Sequence, residues 1–173
     1  DANPPGLVLL DLGLPPAPST MAEGLNLLEE CIRKNPMMKV IVLTGQDESA
    51  AALEAVRRCG GVLEHPWGSY AWPHFGLAVP PRAGGWIRAD DFGGWTCCVE
   101  QGRYGHYARK PTLLYAVRTD RPELRWGKSA PVFPQWALDK YGLEKCKRAG
   151  ELAFKGGGQD SPHRIATPTE FRD

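Results

Sequence analysis

Two short apolar stretches in the first third of the chain decide the fold: Leu7-Val8-Leu9-Leu10-Asp11 and Lys39-Val40-Ile41-Val42-Leu43-Thr44-Gly45. Short, continuous apolar stretches of this kind are typical of buried parallel strands. Between them, Ala22 to Lys34 carries leucine and isoleucine at helical spacing, and a second helix is predicted from Asp47 to Arg58. The order strand, helix, strand, helix predicts a right-handed crossover and a parallel α/β sheet.

The composition of the whole chain is that of a globular protein. Its 173 residues are 42% apolar and 24% charged, and no apolar run has the length of a membrane span. The five cysteines are an odd number without C-x-x-C spacing, which predicts free thiols in a reducing compartment. We therefore expect a cytoplasmic protein without a membrane partner. Since the first residue is not methionine, we expect a processed or incomplete piece.

Composition changes abruptly near residue 58. Residues 1–58 carry five Lys/Arg and eight Asp/Glu, whereas residues 59–173 carry sixteen Lys/Arg and twelve Asp/Glu. All six Trp, five Tyr and five Phe follow residue 58. This change predicts a joint between two α/β pieces, with segments at 1–58 and 59–142 and a helical, flexible tail at 143–173. The sequence leaves the oligomeric state open.

Three further strands are predicted in the second segment, at Gly60–Pro66, Gly94–Gln101 and Pro111–Val117. The last two read as a hairpin with a basic, aromatic connection, and Trp67–Gly94 is rich in loop-forming residues. We expect Gly60–Pro66 to extend the parallel, Rossmann-like sheet, which a mixed, loop-rich α+β part then continues. Ligands collect at the carboxyl ends of parallel strands, so Asp11 would share that edge with Thr44 and the pair Glu64-His65.

The motifs Leu9–Pro16 and Lys39–Glu48 together resemble the middle of a bacterial response-regulator receiver domain. The resemblance implies that Asp11 corresponds to the phosphoacceptor and Thr44 to the switch hydroxyl, with magnesium as cofactor. Glu64-His65-Pro66 stands where a receiver has lysine-proline, and the acidic pair that holds magnesium has no counterpart before Asp11. Without a metal site the charge of phosphoryl transfer is uncompensated, so we expect Asp11 only to end a strand and start a turn.

The stretches Gly61–Pro66, Gly94–Gln101, Tyr104–Tyr115 and Ala166–Asp173 resemble a family of short phage and prophage proteins related to DNA methyltransferases. The resemblance implies that Glu64, with His65 beside it, matches the catalytic glutamate that hydrogen-bonds a flipped base, and that S-adenosylmethionine is the cofactor. The sequence has no glycine-rich loop after a first strand and no proline-cysteine nucleophile. We therefore expect a DNA-binding or DNA-modification accessory module that is incomplete as a catalyst.

Recognition of DNA requires cations for the phosphates and flat side chains for an unstacked base. Arginine, lysine and aromatic residues concentrate in the second segment. The predicted nucleic-acid-binding residues are Arg88, Trp95, Gln101, Arg103, Tyr104, His106, Arg109 and Lys110.

Other interpretations of these residues stay open. The pair Glu64-His65 has a structural alternative, since it would equally end a strand at the surface. The histidines and cysteines show no ligand spacing, which predicts no metal site. Three functional hypotheses follow: the DNA-binding accessory module, a receiver-type phosphorelay module, and a fusion fragment with no evolved activity.

Overall fold

A computed structural model describes residues 7–12, 14–15, 21–43, 49–106, 109–130, 132–133, 135–144 and 146. Strands and helices alternate in the first half, and strands dominate the second. In chain order the elements are β1 (Leu7–Asp11), α1 (Ala22–Lys34), β2 (Lys39–Leu43), α2 (Ser49–Cys59), β3 (Gly61–Pro66), α3 (Ala71–His74), β4 (Ile87–Arg88), β5 (Trp95–Glu100), a 3₁₀ turn (Gln101–Tyr104), β6 (Pro111–Val117) and α4 (Gln135–Tyr141).

The first segment forms the predicted parallel strand pair. β1 and β2 run side by side in register, with Asp11 opposite Leu43. The apolar stripe of α1 buries Leu25 and Leu28 in one cluster with Leu10 of β1, which is why the periodic leucines form a helix here. The prediction of strand, helix, strand, helix is confirmed in these elements.

The second segment forms a separate, antiparallel sheet in the order β3-β6-β5-β4. The predicted hairpin of β5 and β6 is confirmed, with Glu100 opposite Pro111. The prediction that β3 extends the parallel sheet is wrong, because β3 pairs with β6 in antiparallel orientation. Its residues alternate between more and less exposed positions, as in an edge strand with one covered face. The chain thus has mixed α/β structure with two small sheets.

Helix α2 contributes a residue to the core of each sheet. Its Leu53 lies in the core of the antiparallel sheet with Leu113 and Trp72, whereas its Ala55 lies with Leu10 in the core of the parallel pair. The opposite face of the antiparallel sheet has its own apolar cover, made of Trp86, Leu124 and Trp126. The two segments predicted to join at residue 58 therefore share the helix that precedes the joint.

The predicted tail at 143–173 lies largely outside the described residues. Helix α4 ends at Tyr141, before the tail, and Leu143, Glu144 and Cys146 at the start of the tail are helical. All five cysteines are free thiols, and Cys97 and Cys98 are buried in β5. None of the helices in the described ranges has both the length and the apolar character needed to cross a bilayer.

Candidate nucleic-acid interface

The structure separates the two predicted catalytic residues. Glu64 and His65 are neighbours in β3, so their side chains project from opposite faces of the sheet. His65 lies on the α2 side, where its ring meets Trp72 edge to face at 5.8 Å between centroids. Neither residue shares an edge with Asp11, which belongs to the other sheet. The expectation that Glu64 and His65 share a sheet edge with Asp11 is therefore wrong.

The surroundings of the two side chains differ. Desolvation raises the pKa of Glu64, and the attraction of Lys110 opposes this rise. Desolvation lowers the pKa of half-buried His65, which favours the neutral ring at pH 7. The hydroxyl of Ser69 lies 3.1 Å from His65 Nδ1 and accepts the amide of Ala71 at the start of α3. This arrangement fixes the imidazole and the α3 turn, which is a structural role.

Arg88 and Trp95 lie at one end of the antiparallel sheet, as partners in the β4-β5 register. The guanidinium of Arg121 sits 3.8 Å above the Trp95 ring. Gln101 follows Glu100, the last residue of β5, which lies roughly 17 Å from Trp95 at about 3.4 Å per residue. The eight predicted nucleic-acid-binding residues therefore do not form one surface.

Three residues of the predicted set are buried in the β5-β6 connection. Gln101 is fully buried and its Nε2 donates to Thr112 Oγ1 at 3.0 Å. The Tyr104 hydroxyl accepts the backbone amide of Arg125 at 2.8 Å, and His106 is 5% exposed. These side chains shape the connection from inside and leave ligand contact to their charged neighbours.

Backbone hydrogen bonds across the connection place the positions of its exposed cations close to each other. The amide of Gly102 donates to the carbonyl of Arg109 at 3.1 Å, so Arg103 follows directly on one side of the turn and Arg109 stands on the other. The backbone amide of Gln101 likewise donates to the carbonyl of Lys110. Both arginine side chains are exposed, and Lys110 is partly buried. Burial lowers the pKa of Lys110, and the attraction of Glu64 opposes that change.

Two further cations join this surface from the segment after β6, and sequence analysis missed them. Arg125 Nη1 donates to the carbonyl of Arg103 at 2.9 Å, and the Arg125 guanidinium lies 5.3 Å from the Tyr104 ring centroid. A Cβ on Gly127 would lie 3.5 Å from Arg103 Nη2, so Lys128 follows immediately beyond that contact. We call Arg103, Arg109, Lys110, Arg125 and Lys128 the basic end of the sheet.

A buried carboxylate holds in place the stretch after β6 that carries Arg125 and Lys128. Glu100 is 1% exposed, and its Oε2 accepts the Ser129 amide at 2.7 Å and the Ser129 hydroxyl at 2.9 Å. Its Oε1 accepts Arg82 Nη2 at 3.2 Å. Burial alone would raise the pKa of Glu100, but the hydrogen bonds from Ser129 and Arg82 outweigh it and hold that pKa below the ordinary value. The negative charge is therefore satisfied inside the protein.

Asp11 is exposed at the carboxyl end of β1. Its register partner is Leu43, and the predicted switch residue Thr44 lies outside the described residues. No three His, Cys, Asp or Glu side chains within the described ranges gather as metal ligands.

Comparison with known proteins adds no relative: no family model, no curated protein and no solved structure matches this chain.

Proposed function

We propose that this chain is a DNA-binding module that contacts the phosphate backbone through the basic end of its antiparallel sheet. The observation that carries the proposal is the meeting of Arg103 and Arg109, across one turn, with Arg125 and Lys128 from a separate segment. Following the phage-family resemblance, we propose that it serves DNA modification as an accessory rather than as the catalyst. The separation of Glu64 from His65 supports that distinction.

The charge balance of this region favours a polyanion. Residues 100–130 carry seven Lys/Arg and three Asp/Glu, and one of those acids is the buried Glu100. Among the described residues, Arg103, Arg109 and Lys128 make no ion pair with a carboxylate. Exposed guanidinium and ammonium groups in this state can form charge-assisted hydrogen bonds with phosphate oxygens.

The aromatic side chains favour backbone contact over stacking with bases. A guanidinium already covers one face of Trp95, of Tyr104 and of Trp67, supplied by Arg121, Arg125 and Arg82 respectively. Tyr104 is in addition buried. These three rings are half-buried or buried as well as covered on one face, so they leave little surface for an unstacked base. We therefore propose duplex binding with little base preference.

Fluorescence anisotropy of a labelled DNA duplex at 50 to 200 mM salt tests the proposal. Each phosphate contact contributes about −0.9 to the slope of log K against log salt. We expect Arg103→Gln/Arg109→Gln to reduce the magnitude of this slope by about 2 and to weaken binding at least 10-fold at 100 mM salt.

The matched control is Arg33→Gln/Lys39→Gln, which removes two exposed cations from the first segment and changes net charge equally. We expect the control to bind nearly as the wild type does. Equal loss in both double variants, or equal slopes for the basic-end variant and the wild type, would overturn the proposal.

A receiver-type phosphorelay module is the second candidate. The exposed Asp11 at the end of a parallel strand, level with Leu43, favours it. The test is incubation with acetyl phosphate and magnesium, followed by intact-mass measurement, with Asp11→Asn as control. Gain of one phosphoryl group by the wild type alone supports this candidate, and no gain by either protein removes it.

A further inference from the structure

A cavity of about 640 Å³ opens where α2 meets the antiparallel sheet. Ala50, Leu53 and Phe75 supply its apolar lining. Its charged and aromatic groups are Glu29, Glu54, Arg57, Arg58, Arg118 and Phe92. Arg118 directly follows β6 and Lys110 directly precedes it, so this α2 pocket lies roughly 25 Å along the strand from the basic end. The volume falls within the roughly 300 to 1,000 Å³ of small-molecule sites.

The charges of the α2 pocket leave one guanidinium available. Arg57 is bound to Asp90 at 2.9 Å, and Arg58 is bound to Glu29 at 2.6 Å. Glu54 lies 3.5 Å from Arg58 and is 58% exposed, so water screens it. Arg118 donates to the carbonyl of Arg58 at 2.8 Å and, within the described ranges, pairs with no carboxylate. Its remaining N–H groups can therefore donate hydrogen bonds to an anion.

Phe92 presents an exposed ring beside a guanidinium that Asp90 holds in place. It is 69% exposed, yet its amide donates to Asp90 Oδ1 at 3.0 Å. The Arg57 guanidinium lies 4.2 Å from its ring centroid, and Asp90 fixes that guanidinium in turn. One face of the ring is thus occupied by a cation, and a planar group can stack on the other. A prearranged ring loses little conformational freedom on binding.

The geometry points to a binding site for a free mononucleotide in the α2 pocket. The base stacks on Phe92, the sugar fills the apolar part beside Leu53 and Phe75, and the phosphate binds Arg118. Neither Arg118 nor Phe92 belongs to the basic end, so this site is independent of the proposed DNA contacts.

Isothermal titration calorimetry with AMP, adenosine and inorganic phosphate tests the site. We expect AMP to bind at least 10-fold more tightly than either adenosine or phosphate, since it alone makes both contacts. Arg118→Gln should weaken AMP binding about 10-fold or more and leave adenosine binding unchanged, because it removes a charge-assisted hydrogen bond. Phe92→Leu should weaken AMP and adenosine alike by about 5-fold or more, because it removes only the ring.

The matched control is Arg103→Gln/Arg109→Gln, which should bind AMP as the wild type does while losing DNA. Thermal unfolding of each variant establishes that it is folded. Absence of AMP binding at 1 mM ligand, on the order of the weakest specific sites, overturns the inference. So does AMP binding that Arg118→Gln and Phe92→Leu leave unchanged. If the wild type binds AMP but not DNA, only the proposed function is overturned. If it binds DNA but not AMP, only the inference of a nucleotide site is overturned.

Discussion

Replacing Asp90 by asparagine should lower the free energy of unfolding by about 3 kcal/mol at pH 7. Asp90 is 8% exposed in its side chain and joins α2 to the antiparallel sheet. Its Oδ2 accepts Arg57 Nη2 and the Tyr115 hydroxyl, each at 2.9 Å, while its Oδ1 accepts the amides of Phe92 and Gly94. Asparagine keeps one oxygen for the two amides but presents an NH₂ group to two other donors.

The magnitude follows from the burial of the pair. Removing one partner of a buried ion pair costs about 3–5 kcal/mol, and the 23% exposure of Arg57 places this pair at the lower limit. For a chain of this length, such a loss lowers Tm by roughly 6–12 °C.

The loss should depend on pH in a defined direction. Burial alone would raise the pKa of Asp90, but hydrogen bonds from Arg57, Gly94 and Tyr115 hold it below the ordinary value. A carboxylate with a lowered folded-state pKa stabilises fully above its unfolded pKa, near 3.9 for Asp, and ceases to do so as the pH falls through the folded value. The difference between wild type and Asp90→Asn should therefore be constant from about pH 7 to 5 and narrow below about pH 4.

Urea unfolding, followed by both tryptophan fluorescence and far-UV circular dichroism, measures this difference. Asp91→Asn, at the exposed neighbouring position, is the control and should change stability by less than about 0.5 kcal/mol. An Asp90→Asn variant as stable as the control would refute the reasoning, as would a loss that does not change with pH. Coincident transitions in the two signals would also count against a fusion fragment whose halves fold separately.

Two further variants test the packing of each sheet. Glu100→Gln should lower the free energy of unfolding by about 1–2 kcal/mol at pH 7, measured by urea unfolding. The loss is moderate because Arg82 is 41% exposed and water screens part of its attraction to Glu100. Since the folded pKa of Glu100 is lowered, this cost should shrink as the pH falls below about 4.3, and a cost that grows instead would contradict the assignment. Gly24→Ala should lower Tm although alanine favours helix by up to about 1 kcal/mol, because its Cβ would overlap the backbone of Leu12. Asn26→Ala, exposed on the same helix, is the comparison, and a Gly24→Ala protein more stable than wild type would contradict the packing.

Local elements of this fold were predictable, whereas the grouping of its strands was not. The leucine spacing of α1 and the apolar stretches of β1, β2, β5 and β6 are local signals, and each element lies where they indicate. Which sheet receives β3 depends on its pairing with β6, far along the chain, and local sequence carries no record of that partner.

Only part of the candidate site was predictable, because the sequence shows which residues are neighbours along the chain and not which ones folding brings together. The cations of the β5-β6 connection are adjacent in sequence, so Arg103 and Arg109 were identified together. Arg125 and Lys128 lie in a segment without periodicity, and only their density with Arg121 after β6 could have indicated them. The alternation of side chains along a strand separates Glu64 from His65, and this rule was already available from the sequence.

The contribution of α2 to both hydrophobic cores has a consequence for how the molecule opens. Leu53 and Ala55 are two residues apart, and each is buried in a different core. Exposing either core to solvent therefore requires the same helix to detach, which uncovers the other core as well. In native-state hydrogen exchange, the slowest amides of β2 and β6 should consequently share one opening free energy, as members of a single foldon.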